Sequence, residues 1–131
     1  MSTHLKAGHT AAILTCALLA GCANVTNTSL LDGSHTFGRT ELNTYPVRVL
    51  AVDGYYGVDV NPVRAEPGER VLRVATAPVA GFHNPPTKDV RFTVAPCKRY
   101  YLAAKRQSPL KQDFELIVQS VDDRLDCQKQ G

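Results

Sequence analysis

The spacing of turn residues is the feature that most restricts how this chain can fold. Asp53-Gly54 is followed by the turn Glu66-Pro67-Gly68-Glu69 and then by segment 77–88, which contains three prolines and a glycine. Glycine and proline interrupt regular structure, and the intervals between these breakers are too short for ten-residue helices. They suit short strands, so we expect an all-β domain.

Apolar residues between the turns recur with the two-residue period of a half-buried strand. In segment 90–94 the residues Val90, Phe92 and Val94 alternate with polar ones. Other strand-like segments are 47–52, 58–65, 70–75, 100–104 and 114–121. Six or seven short strands predict a small antiparallel β-sandwich of immunoglobulin-like or transthyretin-like shape. The apolar residues of segment 113–126 fit either the strand period or the helical period, so the sequence also allows a terminal helical turn at 122–127.

Residues 1–21 have the three zones of an export signal, with Lys6 before an apolar run over 11–20 and small residues at the end. The run is too short to cross a bilayer, which needs about 20 residues. The sequence Leu19-Ala20-Gly21-Cys22 resembles the lipobox of bacterial lipoproteins, which implies cleavage before Cys22 and acylation of its thiol and new terminus by fatty acids such as palmitate. The alternative is an ordinary secretory signal without lipid.

The lipobox resemblance also implies a location. Two or three acyl chains give lasting attachment, because each buried methylene contributes about 0.8 kcal/mol. Ala23 follows the cysteine, whereas lipoproteins retained in the inner membrane typically carry Asp there, so we expect the periplasmic face of the outer membrane in a Gram-negative envelope. Residues 22–44 are polar and predict a flexible tether, with Leu30-Leu31 and Phe37 able to dock onto a domain at 45–131.

The charge balance argues against nucleic acid as a partner. The formal net charge of +3 falls to +2 when residues 1–21 are removed, and so small a value gives no electrostatic footprint for nucleic-acid binding. The basic residues are scattered, and we expect them on the solvated outer faces of sheets. They are Arg64, Arg70, Arg73, Arg91, Lys98-Arg99 and Lys105-Arg106.

Cys97 and Cys127 are the cysteines left after cleavage and acylation, and in an oxidising compartment they predict a disulfide. Closing a loop of this length should stabilise the fold by roughly 3 to 4 kcal/mol. Free thiols, a metal site and a nucleophilic cysteine are the competing interpretations. They are weaker, because the chain has no Cys-X-X-Cys pattern and no histidine near either cysteine in sequence.

Two further resemblances concern the folded part. Val52-Asp53-Gly54 with Asn61-Pro62-Val63-Arg64-Ala65-Glu66-Pro67-Gly68-Glu69-Arg70-Val71-Leu72-Arg73-Val74 is similar to PEGA-type modules, small β-sandwiches of bacterial envelope proteins. Here the second strand is replaced by the longer Tyr55-Tyr56-Gly57-Val58-Asp59-Val60-Asn61-Pro62. The mature chain, with its Pro96-Cys97 to Ala104 element, also resembles a group of small proteobacterial lipoproteins, which implies an envelope role.

The sequence predicts no catalytic residues, no metal site and no cofactor. His35 and His83 are the histidines left after cleavage, and neither belongs to a His-X-X-His or His-Glu pattern. Asp122, Asp123 and Asp126 lack the spacing and glycine turn of a dedicated Ca²⁺ loop. No serine lies in a Gly-X-Ser-X-Gly setting.

Aromatic and loop residues are the candidates for recognition. Consecutive strand residues face opposite sides, so one ring of Tyr55-Tyr56 or Tyr100-Tyr101 should enter the core and the other stay outside. Phe82 and His83 lie in the proline-rich segment 77–88 and complete the set of possible recognition residues Tyr55, Tyr56, Phe82 and His83.

These observations predict a non-enzymatic, lipid-anchored module of the cell envelope with a binding or structural role, whose partner is an envelope protein or peptidoglycan. A glycan or small-ligand binder is the first alternative. A hydrolase with an unrecognised Asp/His site is the second.

Overall fold

The structure is a computed structural model that describes residues 27–34, 41–56 and 60–127. Over these ranges it contains nine strands and no α-helix. In chain order the strands are β1 Ser29–Asp32, β2 Thr44–Tyr45, β3 Val47–Val52, β4 Tyr55–Tyr56, β5 Val63–Ala65, β6 Gly68–Thr76, β7 Thr87–Val94, β8 Lys98–Lys105 and β9 Glu115–Asp123. The predicted lipidation residue Cys22, together with His35 and Phe37, lies outside the described residues.

The strands form two sheets. The four-stranded sheet is antiparallel, in the order β4-β3-β6-β7. In the five-stranded sheet, β9 pairs with one edge of β8, β1 and β2 pair with successive parts of its other edge, and β5 pairs with β1. The predicted all-β sandwich is confirmed, with one difference. β1 runs parallel to β8, because the intervening chain crosses to the other sheet and returns, so this sheet is mixed.

One hydrophobic core lies between the sheets, and both contribute to it. Its buried members are Leu31, Val47, Ala65, Leu72, Val74, Val94, Tyr100, Leu102, Ala104 and Phe114. The predicted alternation of β7 is confirmed, since Val90, Phe92 and Val94 pack against this core while the residues between them are exposed. Phe92 meets Tyr100 of the opposite sheet edge to face, with ring centroids 5.0 Å apart, a contact that adds about 0.5–1.5 kcal/mol to area burial.

The first strand corrects the predicted domain boundary at residue 45. The composition of 22–44 predicts a tether, but β1 fills the position between β8 and β5, and Leu31 is fully buried. The Ser29 hydroxyl accepts a hydrogen bond from the Lys98 N–H, at 2.9 Å, and donates to the Ala95 carbonyl. A four-residue strand with few inward apolar side chains shows no recognisable period among polar neighbours, so composition alone conceals it.

The chain crosses from one sheet to the other between β2 and β3, and the residue that follows β1 touches the start of β3 there. The Val47 N–H at the start of β3 donates to the Gly33 carbonyl, with N and O 2.9 Å apart. A Cβ atom on Gly33 would lie 1.8 Å from the Val47 carbonyl oxygen. Only glycine therefore allows this approach of the two backbones.

The C-terminal end of the described chain is a turn, not the helical turn that the sequence left open. β9 continues to Asp123, and the Cys127 N–H donates to the Arg124 carbonyl at 3.4 Å. The sulfur atoms of Cys97 and Cys127 lie 2.17 Å apart, at disulfide-bond distance, in agreement with the predicted pair. The Arg124 guanidinium donates to the Thr28 carbonyl, so this turn is also joined to the start of β1.

One of the basic residues expected on a solvated face is buried. Arg106 is only 4 % exposed, and its guanidinium carbon lies 4.8 Å from the centre of the Tyr45 ring. The guanidinium donates a hydrogen bond to the Ala77 carbonyl, and the backbone N–H of Arg106 donates to the Asn43 carbonyl at 2.9 Å. Arg106 lies just past the end of β8, where the chain leaves the sheet, so it connects three loops instead of facing water.

Candidate functional site

A groove of about 730 Å³ lies on one side of the sandwich. One wall is formed by β3 and β4. The other is formed by β5 and by the residues just before it, Val60 and Pro62. We call it the β3–β5 groove. Its lining residues are Arg48, Val49, Leu50, Ala51, Val52, Tyr55, Tyr56, Val60, Pro62, Val63 and Arg64. The volume falls within the range of ligand sites, roughly 300–1,000 Å³.

Both predicted tyrosines of the first pair lie in this groove, and both rings are exposed. Tyr55 is 83 % and Tyr56 68 % exposed, so the prediction that one ring enters the core is wrong for this pair. It holds for the second pair, in which Tyr100 is buried and Tyr101 is half-buried. The difference arises because β4 has two residues and lies at the edge of its sheet, where the core does not extend beneath it.

A tight hairpin turn presents the two tyrosines. Asp53 and Gly54 have φ values of 50° and 81°, the positive pair that a two-residue type I′ hairpin requires. The Asp53 carboxylate accepts the Val71 N–H at 2.8 Å and a guanidinium N–H of Arg70 at 3.1 Å. The pKa of the Asp53 carboxyl is lowered, mainly by the hydrogen bond from the Val71 N–H and next by the hydrogen bond from Arg70. The carboxylate thus ties the hairpin to β6 and fixes where the rings stand.

A second carboxylate anchors the opposite wall. The Asn61 side-chain amide donates to Asp32 Oδ1 at 3.1 Å and to the Ser34 hydroxyl at 2.6 Å. Arg99 donates to Asp32 Oδ2 at 2.7 Å. Burial acts to raise the pKa of Asp32, but the hydrogen bonds from Arg99, Asn61 and Ser34 outweigh it and lower the pKa to about 2. Asp32 is therefore ionised at neutral pH and holds the chain that leads into β5.

Among the described residues that line the groove, the charged ones are both arginines. Arg48 on β3 and Arg64 on β5 are exposed, and the described lining contains no aspartate or glutamate. The rest of the lining is aliphatic or aromatic. A surface of this kind favours an apolar ligand that carries negative charge.

The structure does not bring Phe82 and His83 to the groove. Both are exposed in the loop between β6 and β7, which lies at the Val47 end of β3, whereas the tyrosines lie at its Val52 end. The two ends are roughly 17 Å apart at about 3.3 Å per strand residue. Gln112 holds the loop, since its side chain accepts the Val79 N–H at 2.7 Å. The four predicted recognition residues thus form two separate surfaces.

Sequence reasoning missed the remaining groove residues. Arg48 and Arg64 belong to strands that are distant in sequence, and Val60 and Pro62 precede a strand of only three residues. The period of each strand predicts which side chains face outward. It does not predict that the edges of β3 and β5 face each other, because that depends on how the sheets are stacked.

Within residues 27–34, 41–56 and 60–127, no group of three His, Cys, Asp or Glu side chains is placed to hold a metal ion. In the same ranges, no helix is long and apolar enough to cross a membrane. Comparison of the chain with known protein families, with curated proteins and with solved structures found no match.

Proposed function

We propose that this protein is a non-enzymatic binding module of the bacterial cell envelope, anchored through Cys22 on the periplasmic face of the outer membrane. The lipobox-like sequence before Cys22 supports the anchor and the location. The β3–β5 groove supports binding, and its partner is an envelope protein.

The observation that carries the binding role is the construction of the groove. Tyr55 and Tyr56 stand exposed on a hairpin that Asp53 ties down, and the facing wall is held by buried Asp32. Exposed aromatic rings on a rigid support are typical of recognition sites, because little conformational entropy is lost when a partner binds. Packing of the core does not explain why two neighbouring tyrosine rings are exposed to solvent.

A glycan binder is the second candidate, and the same two rings favour it, because tyrosine faces can stack on sugars. Sedimentation with purified peptidoglycan tests this candidate. It predicts that the wild-type chain sediments and that the double variant Tyr55→Ala/Tyr56→Ala stays in solution.

Photo-crosslinking in intact cells tests the proposed function. A benzoyl-phenylalanine at position 55 should form an adduct with an envelope protein, which mass spectrometry then identifies. The same residue at position 82 is the matched control, because Phe82 is also an exposed aromatic side chain, 56 % accessible, but lies away from the groove. An adduct from position 82 alone, or from neither position, would refute the groove as the binding surface. Intact mass of the mature chain without added acyl groups would refute the anchor.

A further inference from the structure

From the edges and charges of the β3–β5 groove we infer that its ligand is an extended acidic polypeptide segment, which binds by adding as a strand to the free edge of β5. This inference rests on the proposed function and specifies the chemistry of the partner.

The backbone of the groove wall favours strand addition. β5 pairs with β1 through one edge, and no strand in the described part of the chain pairs with its other edge. On the facing wall, β4 pairs with β3 only at Ala51 and Val52, so the β3 edge is not covered by β4 beyond them. A peptide in extended conformation can satisfy the exposed N–H and C=O groups of such an edge, and neighbouring pockets then select alternate side chains.

The side chains of β5 specify the pattern of the ligand. Val63 and Ala65 are turned toward the core, whereas Arg64 between them is exposed. In an added strand, the residues opposite Val63 and Ala65 point into the apolar groove, and the residue opposite Arg64 points outward. The expected motif is therefore apolar, acidic, apolar.

Charge also argues against the free edge of β9 as the site for the same ligand. β9 leaves one edge without a partner strand in the described ranges, but it carries Glu115 at one end and Asp122 and Asp123 at the other. An acidic segment added there would meet like charges, which oppose association.

Selection from a library of random ten-residue peptides against the purified lipidated chain tests the inference. Enriched peptides should be poor in proline and carry the apolar-acidic-apolar motif. Binding of a selected peptide should weaken about tenfold in Arg64→Glu and recover when the acidic residue of the peptide is replaced by lysine. Methylation of alternate backbone nitrogens of the peptide removes the N–H groups that would donate hydrogen bonds to the β5 edge and keeps the side chains. It should therefore abolish binding.

The matched control is Arg91→Glu, because Arg91 is also an exposed strand arginine, with a side chain 83 % accessible, but lies on β7 at the opposite edge of the four-stranded sheet. It should bind the selected peptides as the wild type does. No enrichment, enrichment of basic peptides, equal loss in both variants, or binding that survives backbone methylation would each overturn the inference.

The outcome separates the inference from the proposed function. Crosslinking from position 55 to an envelope protein, without selection of acidic peptides, would refute strand addition and leave the binding role intact. Binding of an N-acetylglucosamine tetramer, with no peptide enriched, would overturn the inference and favour the glycan binder. Failure of both the crosslink and the selection would refute the inference and the proposed function together.

Discussion

Replacement of Gly33 by alanine should destabilise the sandwich far more than the loss or gain of one methyl group normally does. The new Cβ would lie 1.8 Å from the Val47 carbonyl oxygen and 2.8 Å from the carbonyl carbon. Ordinary carbon-to-oxygen contacts begin near about 3.3 Å, so the two backbones must separate by roughly 1.5 Å. The Val47 backbone has little freedom to move, because Val47 is buried and pairs with Thr76 of β6.

The cost has two parts. Separation breaks the Val47 N–H to Gly33 carbonyl hydrogen bond, 2.9 Å long in the native fold, and leaving buried partners unsatisfied costs about 1–3 kcal/mol. Displacing packed groups costs about 1–3 kcal/mol more, while alanine recovers about 0.4–1 kcal/mol by restricting the unfolded chain. We expect a net loss of about 3 kcal/mol, equivalent to a fall in melting temperature of roughly 12–24 °C at 4–8 °C per kcal/mol.

Thermal unfolding followed by circular dichroism measures this loss, with Gly54→Ala as the control. A Cβ on Gly54 meets no atom within 4 Å, and its φ of 81° is the sole source of strain, worth about 1 kcal/mol. A Gly33→Ala variant that melts at or above the temperature of Gly54→Ala would show that the close approach of Gly33 and Val47 does not constrain the fold.

Three further predictions concern other parts of the chain. Reduction of the Cys97–Cys127 pair, which closes a loop with a sequence separation of 30, should cost roughly 3–4 kcal/mol; an unchanged melting temperature in reductant would contradict the bond. The lowered pKa of Asp32, about 2 against 3.8, stabilises the fold fully above pH 4 to 5, and this stability is lost as the pH falls through 2. Urea titrations from pH 6 to pH 2 should therefore show that acidification lowers the free energy of unfolding by about 2 kcal/mol more in the wild type than in Asp32→Asn. Equal losses in the two proteins would refute the ion pair. Cys22→Ser should abolish incorporation of labelled palmitate in cells, and a variant that still took up label would rule out the lipobox.

The longer strands could be predicted from the sequence because each carries its own period. The predicted segment 47–52 coincides with β3, and the alternation of Val90, Phe92 and Val94 marks the inward face of β7. The turn at Asp53-Gly54 also follows from residue type, since both residues adopt the positive φ that the turn needs. Local pattern was sufficient wherever a strand was long and half-buried.

The features that sequence reasoning missed depend on contacts between distant segments. β1 is recognisable as a strand only once β8 and β5 are in place on either side of it. Arg106 is buried because loops at residues 43 and 77 meet above it. The groove requires the edges of two sheets, so Tyr55 and Tyr56 could be suggested as recognition residues, but their arginine neighbours could not.

The position of β1 has a mechanical consequence. It is the first strand of the described chain, and it is held on both sides, by β8 and by β5. Its start is also held by Arg124, in the turn that contains Cys127. A pull applied to the N-terminal end of the chain would therefore load two hydrogen-bond ladders at once, and could not peel a strand from the rim of the sheet one bond at a time. A protein fastened at that end would transmit tension into the middle of its sheet and, through the β1–β5 ladder, to one wall of the groove.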